Sequence, residues 1–484
     1  MNLRIIEALW GRFLIFYGIV MIFPLAVALF YREDSVQAFV LTIIGAVFLG
    51  LVMYFHGHWR EKVGLREGLA AVAGIWVLAS FFGSLPYIIS GVLPAYIDAL
   101  FEAVSGLTTT GASVLGNLEE LPKSILLWRS FSQWLGGMGI IVLFIGLLPN
   151  IGIGAVHLFN AEVPGPLTER VLPKIKDTAR ALWIIYVSMT LIQGVLLYLA
   201  GMTPFEAVNH TLSSISTGGF STRTSSIAAY NSFTIEFIIA FFMFWSGANY
   251  FLFINAWRHR SLKFWQDTEF RNYLIFIFVG VVIVTFSLIQ QQGWEVFTAA
   301  RQAVFQVISF STSTGFNTVD YDQWPNIAKM VLFIHMFVGG CAASTSGGLT
   351  VARVTLLFKM GWAQIKQALH PRLVVNIVVQ NRVVDVNTLS RVGTFFFLFI
   401  AIFALASLLL TLAGLEPFEA LGAAVAALGN VGPAFGFVGP TAGYALVPPF
   451  GKIVLAVCML LGRLELFTFL VLLQPDFWKA RRGW

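Results

Sequence analysis

Two uncharged stretches, residues 13 to 31 and 392 to 415, constrain this chain more than any other feature. About 18 to 20 consecutive apolar residues form a stable helix when lipid surrounds them. Other tracts of similar character recur along the chain, and only 11% of its 484 residues are charged, against about 25% in soluble domains. An ordinary soluble protein, a disordered chain and an aqueous nucleic-acid-binding domain are therefore poorly supported. The basic excess of +6 is scattered in short clusters between apolar tracts. Cys341 and Cys458 lie in apolar segments and imply no disulfide framework. Ala26-Val27-Ala28 near the end of the first tract could be a signal-peptidase site, but a second spanning segment follows at once, and the first tract reads better as an anchor.

Apolar runs divided by charged or Pro/Gly breaks predict ten spans, near 13 to 30, 36 to 55, 67 to 90, 124 to 148, 180 to 200, 232 to 256, 272 to 291, 326 to 359, 391 to 413 and 446 to 473. With a cytoplasmic N-terminus, 21 of the 30 basic residues fall on the inner side, as the positive-inside rule requires. Acidic residues such as Asp98, Glu119, Glu206 and Asp322 fall outside, giving a negative outer face that would concentrate cations. Loop depletion of Lys and Arg explains part of that bias.

Four inserts between helix pairs share one pattern: Thr109-Thr110-Gly111, Ser216-Thr217-Gly218, Ser313-Thr314-Gly315 and Asn430-Val431-Gly432, each after a short half-apolar segment. Four such inserts indicate internal duplication. Phe-Glu-Ala, starting at Phe101, Phe205 and Phe418, precedes three of them. Non-helical backbone at membrane depth is tolerated where it is packed in protein or lines a water-filled path. Four extended strands about one axis would present rings of carbonyls able to replace the hydration shell of a monovalent cation. Glycine lets such a strand turn its carbonyls inward. These considerations point to carbonyls of Thr110, Thr217, Thr314 and Val431 as ligands of a monovalent cation, with Thr and Ser hydroxyls available to the lowest site.

The sequence resembles the bacterial Trk/Ktr potassium transporters and their plant high-affinity relatives (the Trk/Ktr/HKT superfamily). The resemblance extends to Gln133-Trp134-Leu135-Gly136-Gly137-Met138-Gly139, Ala161-Glu162-Val163-Pro164-Gly165-Pro166, Gly339-Gly340-Cys341 through Gly347-Gly348, and Gly462-Arg463-Leu464-Glu465. It is closest to the Trk membrane subunit, which has two additional N-terminal helices. It implies an all-α polytopic membrane protein with four non-identical helix–pore-loop–helix repeats around a central pore. It also implies a homodimer regulated by a cytosolic TrkA-type nucleotide-binding ring. Serine at the first filter glycine accompanies sodium transport in plant relatives; Gly111 therefore implies potassium.

The eighth tract, 327 to 358, would extend about 48 Å as helix, too long for a ~30 Å hydrocarbon core. Its middle contains Gly339, Gly340, Ser344, Thr345, Ser346, Gly347 and Gly348. Such a run disfavours continuous helix and suits either a water path or close helix packing. The resemblance implies an intramembrane gating loop. Thr350 occupies the place where the family usually has lysine, so that lysine's role does not transfer. Arg463, expected near the middle of the last span, is a costly membrane charge and hence a functional candidate; its alternatives are an ion pair with Glu465 or snorkelling.

Glu102, Glu206 and Glu419 read either as ion ligands at the vestibule or, preferentially, as residues at pore-helix starts, where acids suit the positive helix end. His56-x-His58 lacks further metal ligands nearby, and Gly152-x-Gly154 lacks a strand before it. His210 and His335 read as packed polar residues in preference to proton relays. The domain expectation is an N-terminal pair of helices (1–60), then pore repeats at 61–160, 161–262, 263–375 and 376–484. The expected function is potassium uptake across the bacterial inner membrane, with both termini cytoplasmic, no covalent cofactor and no nucleic-acid partner. The alternatives are a sodium-permeable transporter or cation symporter and, from another class, a membrane enzyme acting on lipid. No convincing catalytic set supports the latter.

Overall fold

The computed structural model describes residues 2–57, 64–139, 175–259, 264–380, 382–464 and 466–478. Helices α1 (Leu3–Val20) and α2 (Ile22–Tyr31) make one span joined at Met21. The α1 face carrying Leu9, Phe13 and Tyr17 is buried; α1 packs against α3 (Val36–His56) and α4 (Leu65–Ile89). Tyr17 Oη donates to the Ala79 carbonyl at 3.1 Å.

Four helical units follow, each with an outer helix, a shorter pore helix, an extended strand and an inner helix. In the first these are α4, α5 (Tyr96–Leu107) and α6 (Lys123–Gly137); in the second α7 (Ile175–Leu199), α8 (Pro204–Ile215) and α9 (Phe233–Ser246), which turns into α10 (Tyr250–His259). The third has α11 (Thr268–Gln292), α12 (Val296–Ser311) and α13 (Asn326–Phe337), then α14 (Val351–Leu369). A hairpin of β1 (Val378–Val379) and β2 (Arg382–Val383) leads to the fourth unit: α15 (Val386–Leu412), α16 (Pro417–Leu428) and α17 (Pro449–Arg463). Two short helices, α18 (Leu466–Leu470) and α19 (Pro475–Trp478), end the described chain.

The units close into a ring in chain order. Inner helix α6 packs on pore helix α8, α9 on α12, α13 on α16, and α17 returns to α5. The pore helices bury their second halves almost completely, in α16 as an alanine-rich stretch from Ala423 to Leu428. The outer helices expose large apolar residues instead, such as Leu191, Phe278 and Leu408, as lipid-facing surfaces do.

Six described helices are long and apolar enough to cross a bilayer, or eight if two bent pairs each count as one span. The expected fourth span runs into residues outside the described set. Three other expectations require correction. The eighth tract is split between α13 and α14 by residues 338–350. The sixth bends by 87° after Ser246 and the tenth by 114° after Arg463. Hydropathy averaged over a span does not register those bends, because apolar residues resume beyond Asn249 and beyond Arg463.

Candidate functional site: a ring of four strands against the loop between α13 and α14

Each pore helix ends in the same backbone sequence. Thr109, Thr217, Ser313 and Asn430 have φ of 56°, 54°, 54° and 53°, and two residues later Gly111, Gly219, Gly315 and Gly432 have φ of 81°, 76°, 78° and 94°. Between them the amides of Thr110, Gly218, Thr314 and Val431 donate to Ser105, Ser213, Ser309 and Ala426 carbonyls at 2.8–2.9 Å. The equivalence corrects the second repeat by one residue. Its central glycine is Gly219, not Gly218, and its counterpart of Thr110, Thr314 and Val431 is Gly218, not Thr217. Ser216 matches Thr108 and lies just before the strand.

These glycines sit where a side chain cannot. A Cβ on Gly111 would lie 2.1 Å from the Gly218 oxygen, one on Gly219 1.9 Å from Thr314 O, one on Gly315 2.1 Å from Val431 O, and one on Gly432 2.3 Å from Thr110 O. The four contacts form a closed cycle: each strand abuts the carbonyl preceding the glycine of the next. The C-terminal ends of all four pore helices directly precede this cycle, bringing their negative dipole ends to it.

The strand hydroxyls are largely occupied. Thr108 pairs with Thr110 at 2.7 Å and Thr312 with Thr314 at 2.8 Å, while Thr217 donates to its neighbour's carbonyl. Asn430 Nδ2 donates to Thr110 Oγ1 and the Met459 carbonyl.

Behind the first two strands lies a buried ion pair. Arg129 Nε donates to Glu102 at 2.8 Å, with both side chains at 1% exposure or less. Arg129 also reaches Ser113 Oγ and the Ser221 carbonyl, and its guanidinium lies 4.1 Å from the Phe220 ring centre. Glu102 accepts from Ser113 and the Val114 amide as well. Glu102 therefore sits past the middle of α5, not at its start. Its Phe-Glu-Ala is out of register with the other two: Glu206 lies in the first turn of α8 after the Thr203 cap, and Glu419 closes a capping box with Glu416. Glu206 pairs with Arg223, and Glu419 accepts from the Phe437 amide. His210 is buried and bridges the Glu206 carbonyl and Ser221 Oγ; His335 stacks on Phe276. Both are packed polar residues, as expected from sequence.

On one side of the ring lies a cavity of about 150 Å³ lined by residues including Ser113, Arg129, Phe220, Arg223, Asn317 and Tyr444. Tyr444 Oη donates to the Gly432 carbonyl and Tyr321 Oη to that of Ala434. At its rim, burial pushes the Asp322 carboxyl up to about 6, with Asp320 adding to the effect against the Gly436 amide that Asp322 accepts.

On the opposite side of the ring lies the loop between α13 and α14. Gly339 N donates to Leu349 O, Leu349 N to Phe337 O and Val351 N to Gly340 O, so the glycine-rich run forms a closed neck. Its tip meets the third strand: Ser346 Oγ donates to the Thr312 carbonyl and Gly347 N to Ser313 Oγ at 2.8 Å. A Cβ on Gly347 would stand 2.5 Å from Gly429 O. Helix ends leave carbonyls without intrahelical partners, and the loop takes up those of the bent helix α9: Cys341 N donates to Gly247 O, and Thr345 Oγ1 to Ser246 O. Ser344 instead donates within the loop, to Cys341 O.

Arg463 ends α17 and is not mid-span, because the chain turns immediately after it. Its guanidinium donates to Thr345 O at 2.8 Å and to Gly136 and Gly137 O, both at 2.6 Å. One cation thus joins the loop to the end of α6. The alternative pairing with Glu465 lies outside the described residues, as do His58, Gly152-x-Gly154 and the 161–166 motif. Among the described residues no group of three His, Cys, Asp or Glu could hold a metal ion. Thr350 caps α14 through backbone geometry alone, and its hydroxyl is buried without a partner.

A family model described as "Cation transport protein", TrkH, matches residues 35–479. The Trk system potassium uptake protein TrkH of Salmonella typhimurium is 41% identical over 485 residues, covering 99% of this chain and all of that protein. Its namesake in Escherichia coli K12 is 40% identical over 490 residues, with the same coverage. The crystal structure of the potassium transporter TrkH from Vibrio parahaemolyticus superposes with a TM-score of 0.89 at 36% identity, over 99% of this chain and 100% of that one.

Proposed function

The chain belongs to the TrkH family of cation transport proteins, and from that membership we propose that it carries potassium into bacterial cells through the four-strand filter. The family and its named relatives are transporters, so the lipid-enzyme alternative is set aside. The observation that carries the reading is the closed cycle in which Gly111, Gly219, Gly315 and Gly432 each abut a carbonyl of the next strand. Carbonyls of Thr110, Gly218, Thr314 and Val431 are the potassium ligands in this reading, and potassium is cargo, not a resident cofactor.

The loop carrying Gly339, Gly340, Ser344, Thr345, Ser346, Gly347 and Gly348 is the gate, and Arg463 its latch. The cytosolic TrkA-type ring acts on it from the inner side, in a homodimer in the inner membrane with both termini cytoplasmic. The repeat boundaries 61–160, 161–262, 263–375 and 376–484 after the 1–60 pair are part of the same proposal. The clustering of basic residues in the loops assigned to the inside supports the orientation.

Reconstituted in potassium-loaded liposomes, the protein is expected to pass radiolabelled rubidium and potassium well ahead of sodium. Sodium moving as fast would establish the sodium alternative, and no cation-selective flux, with or without the cytosolic ring, would overturn the transport reading for this chain. Removing the latch tests the gate. Arg463→Ala deletes three charge-assisted hydrogen bonds from the closed loop; a net loss of about 2 kcal/mol would shift a two-state gate by roughly 30-fold toward open. Rubidium flux in the same liposomes should rise accordingly, and flux equal to wild type would remove Arg463 from gating.

A further inference from the structure

In three repeats the residue that supplies the ring carbonyl has a side chain, Thr110, Thr314 or Val431; in the second it is Gly218. The backbone does not demand this glycine, since Gly218, unlike Gly219, is not among the residues of positive φ. What excludes a side chain there is Gln133, which arrives from inner helix α6 of the first repeat. A Cβ on Gly218 would lie 2.4 Å from Gln133 Cδ, 2.6 Å from its Oε1 and 2.8 Å from its Nε2.

Gln133 is fully buried, and both ends of its amide are committed. Nε2 donates to the Gly218 carbonyl at 2.6 Å, and Oε1 accepts from the Phe220 amide at 3.1 Å. The Phe220 N–H requires an acceptor, which fixes the amide's orientation. Among the described residues no other ring carbonyl receives a side-chain donor. In the first and third repeats the corresponding volume holds a threonine whose hydroxyl pairs with that of Thr108 or Thr312. At the matching place the second repeat has Ser216, whose hydroxyl turns back to the Leu212 and Ser213 carbonyls.

We propose that Gln133 is a positioning residue of the filter: its amide stands in for the side chain that the second repeat lacks and, by donating to the Gly218 carbonyl, sets the direction and field strength that carbonyl offers to the ion. This rests on the pore reading above. Discrimination between potassium and sodium depends on the number, field strength and freedom of the coordinating carbonyls. A donor held at one of them restrains its swing toward a smaller cation and draws charge from its oxygen.

The test uses full-length protein in liposomes, with potassium and sodium flux measured together. Gln133→Leu retains bulk but removes the donor and the acceptor, and the potassium-to-sodium ratio should fall by roughly fivefold to tenfold, the effect of one hydrogen bond. Gly218→Thr alone should lose potassium flux through collision with Gln133. Combining Gly218→Thr with Gln133→Ala opens the space and recreates the hydroxyl pair of the other repeats with Ser216, so flux and selectivity should recover most of the way to wild type. A wild-type ratio in Gln133→Leu, or a double variant no better than Gly218→Thr, overturns the proposal; where Gln133→Leu does not fold, the paired variant decides. Wild-type liposomes run alongside separate the two levels, since their failure to select potassium would strike the pore reading itself.

Discussion

Gly219→Ala eliminates potassium-selective flux, and Gln133→Ala does not restore it. Two costs combine at this residue. Its φ of +76° is a left-handed conformation, in which a side chain costs about 1–2 kcal/mol, and the new Cβ would stand 1.9 Å from the Thr314 oxygen, so a ring carbonyl must be displaced. Together about 3 kcal/mol would lower the competent population by on the order of a hundredfold. Rubidium uptake into liposomes measures this directly. The contrast with Gly218 gives the experiment its force: there the obstacle is the end of a side chain and can be removed, whereas at Gly219 it is backbone of the next repeat. If Gly219→Ala transports like wild type, the structural register of the second strand is wrong and Gly218 returns as the central glycine.

The second large effect is on stability. Arg129→Leu leaves the Glu102 carboxylate buried without its counter-charge, and breaking a buried pair in this way typically costs about 3–5 kcal/mol. Thermal unfolding in detergent should move down sharply. Potassium, which in this reading binds only the folded filter, should protect the variant less than wild type, because Arg129 also holds Ser113 and the Ser221 carbonyl on two adjacent strands. Adding Glu102→Gln removes the stranded charge while keeping an acceptor for the Val114 amide, so the double variant should regain more than half of the loss. A double variant as unstable as Arg129→Leu would show that lost packing, not the charge, accounts for the effect.

Much of this arrangement was legible in the residues. Four glycine-containing inserts separated the spans, and the glycine-rich stretch around residues 339–348 was too flexible for the helix that its hydropathy suggested; both readings survive in the structure. The second strand misled because Gly218-Gly219 offers two glycines after Ser216-Thr217, and nothing local says which one turns. Only the left-handed backbone and the collision with Thr314 O distinguish them. Phe-Glu-Ala suggested a common position for Glu102, Glu206 and Glu419, yet in α5 the triplet sits further along the pore helix and its carboxylate answers Arg129 instead of a helix start. Arg463 stood out in the sequence as a charge within an apolar tract, but its carbonyl partners come from residues more than a hundred positions away.

The sequence by itself determined the solvent, the number of repeats and the places where helix must yield to extended backbone, because hydrophobic length, repetition and glycine content act locally along the chain. Tertiary structure decided which glycine faces which carbonyl, where α9 and α17 bend, and that Gln133 occupies the space left at Gly218. Those outcomes depend on the volume and hydrogen-bonding capacity of groups brought together by ring closure, and that information exists only once four repeats share an axis.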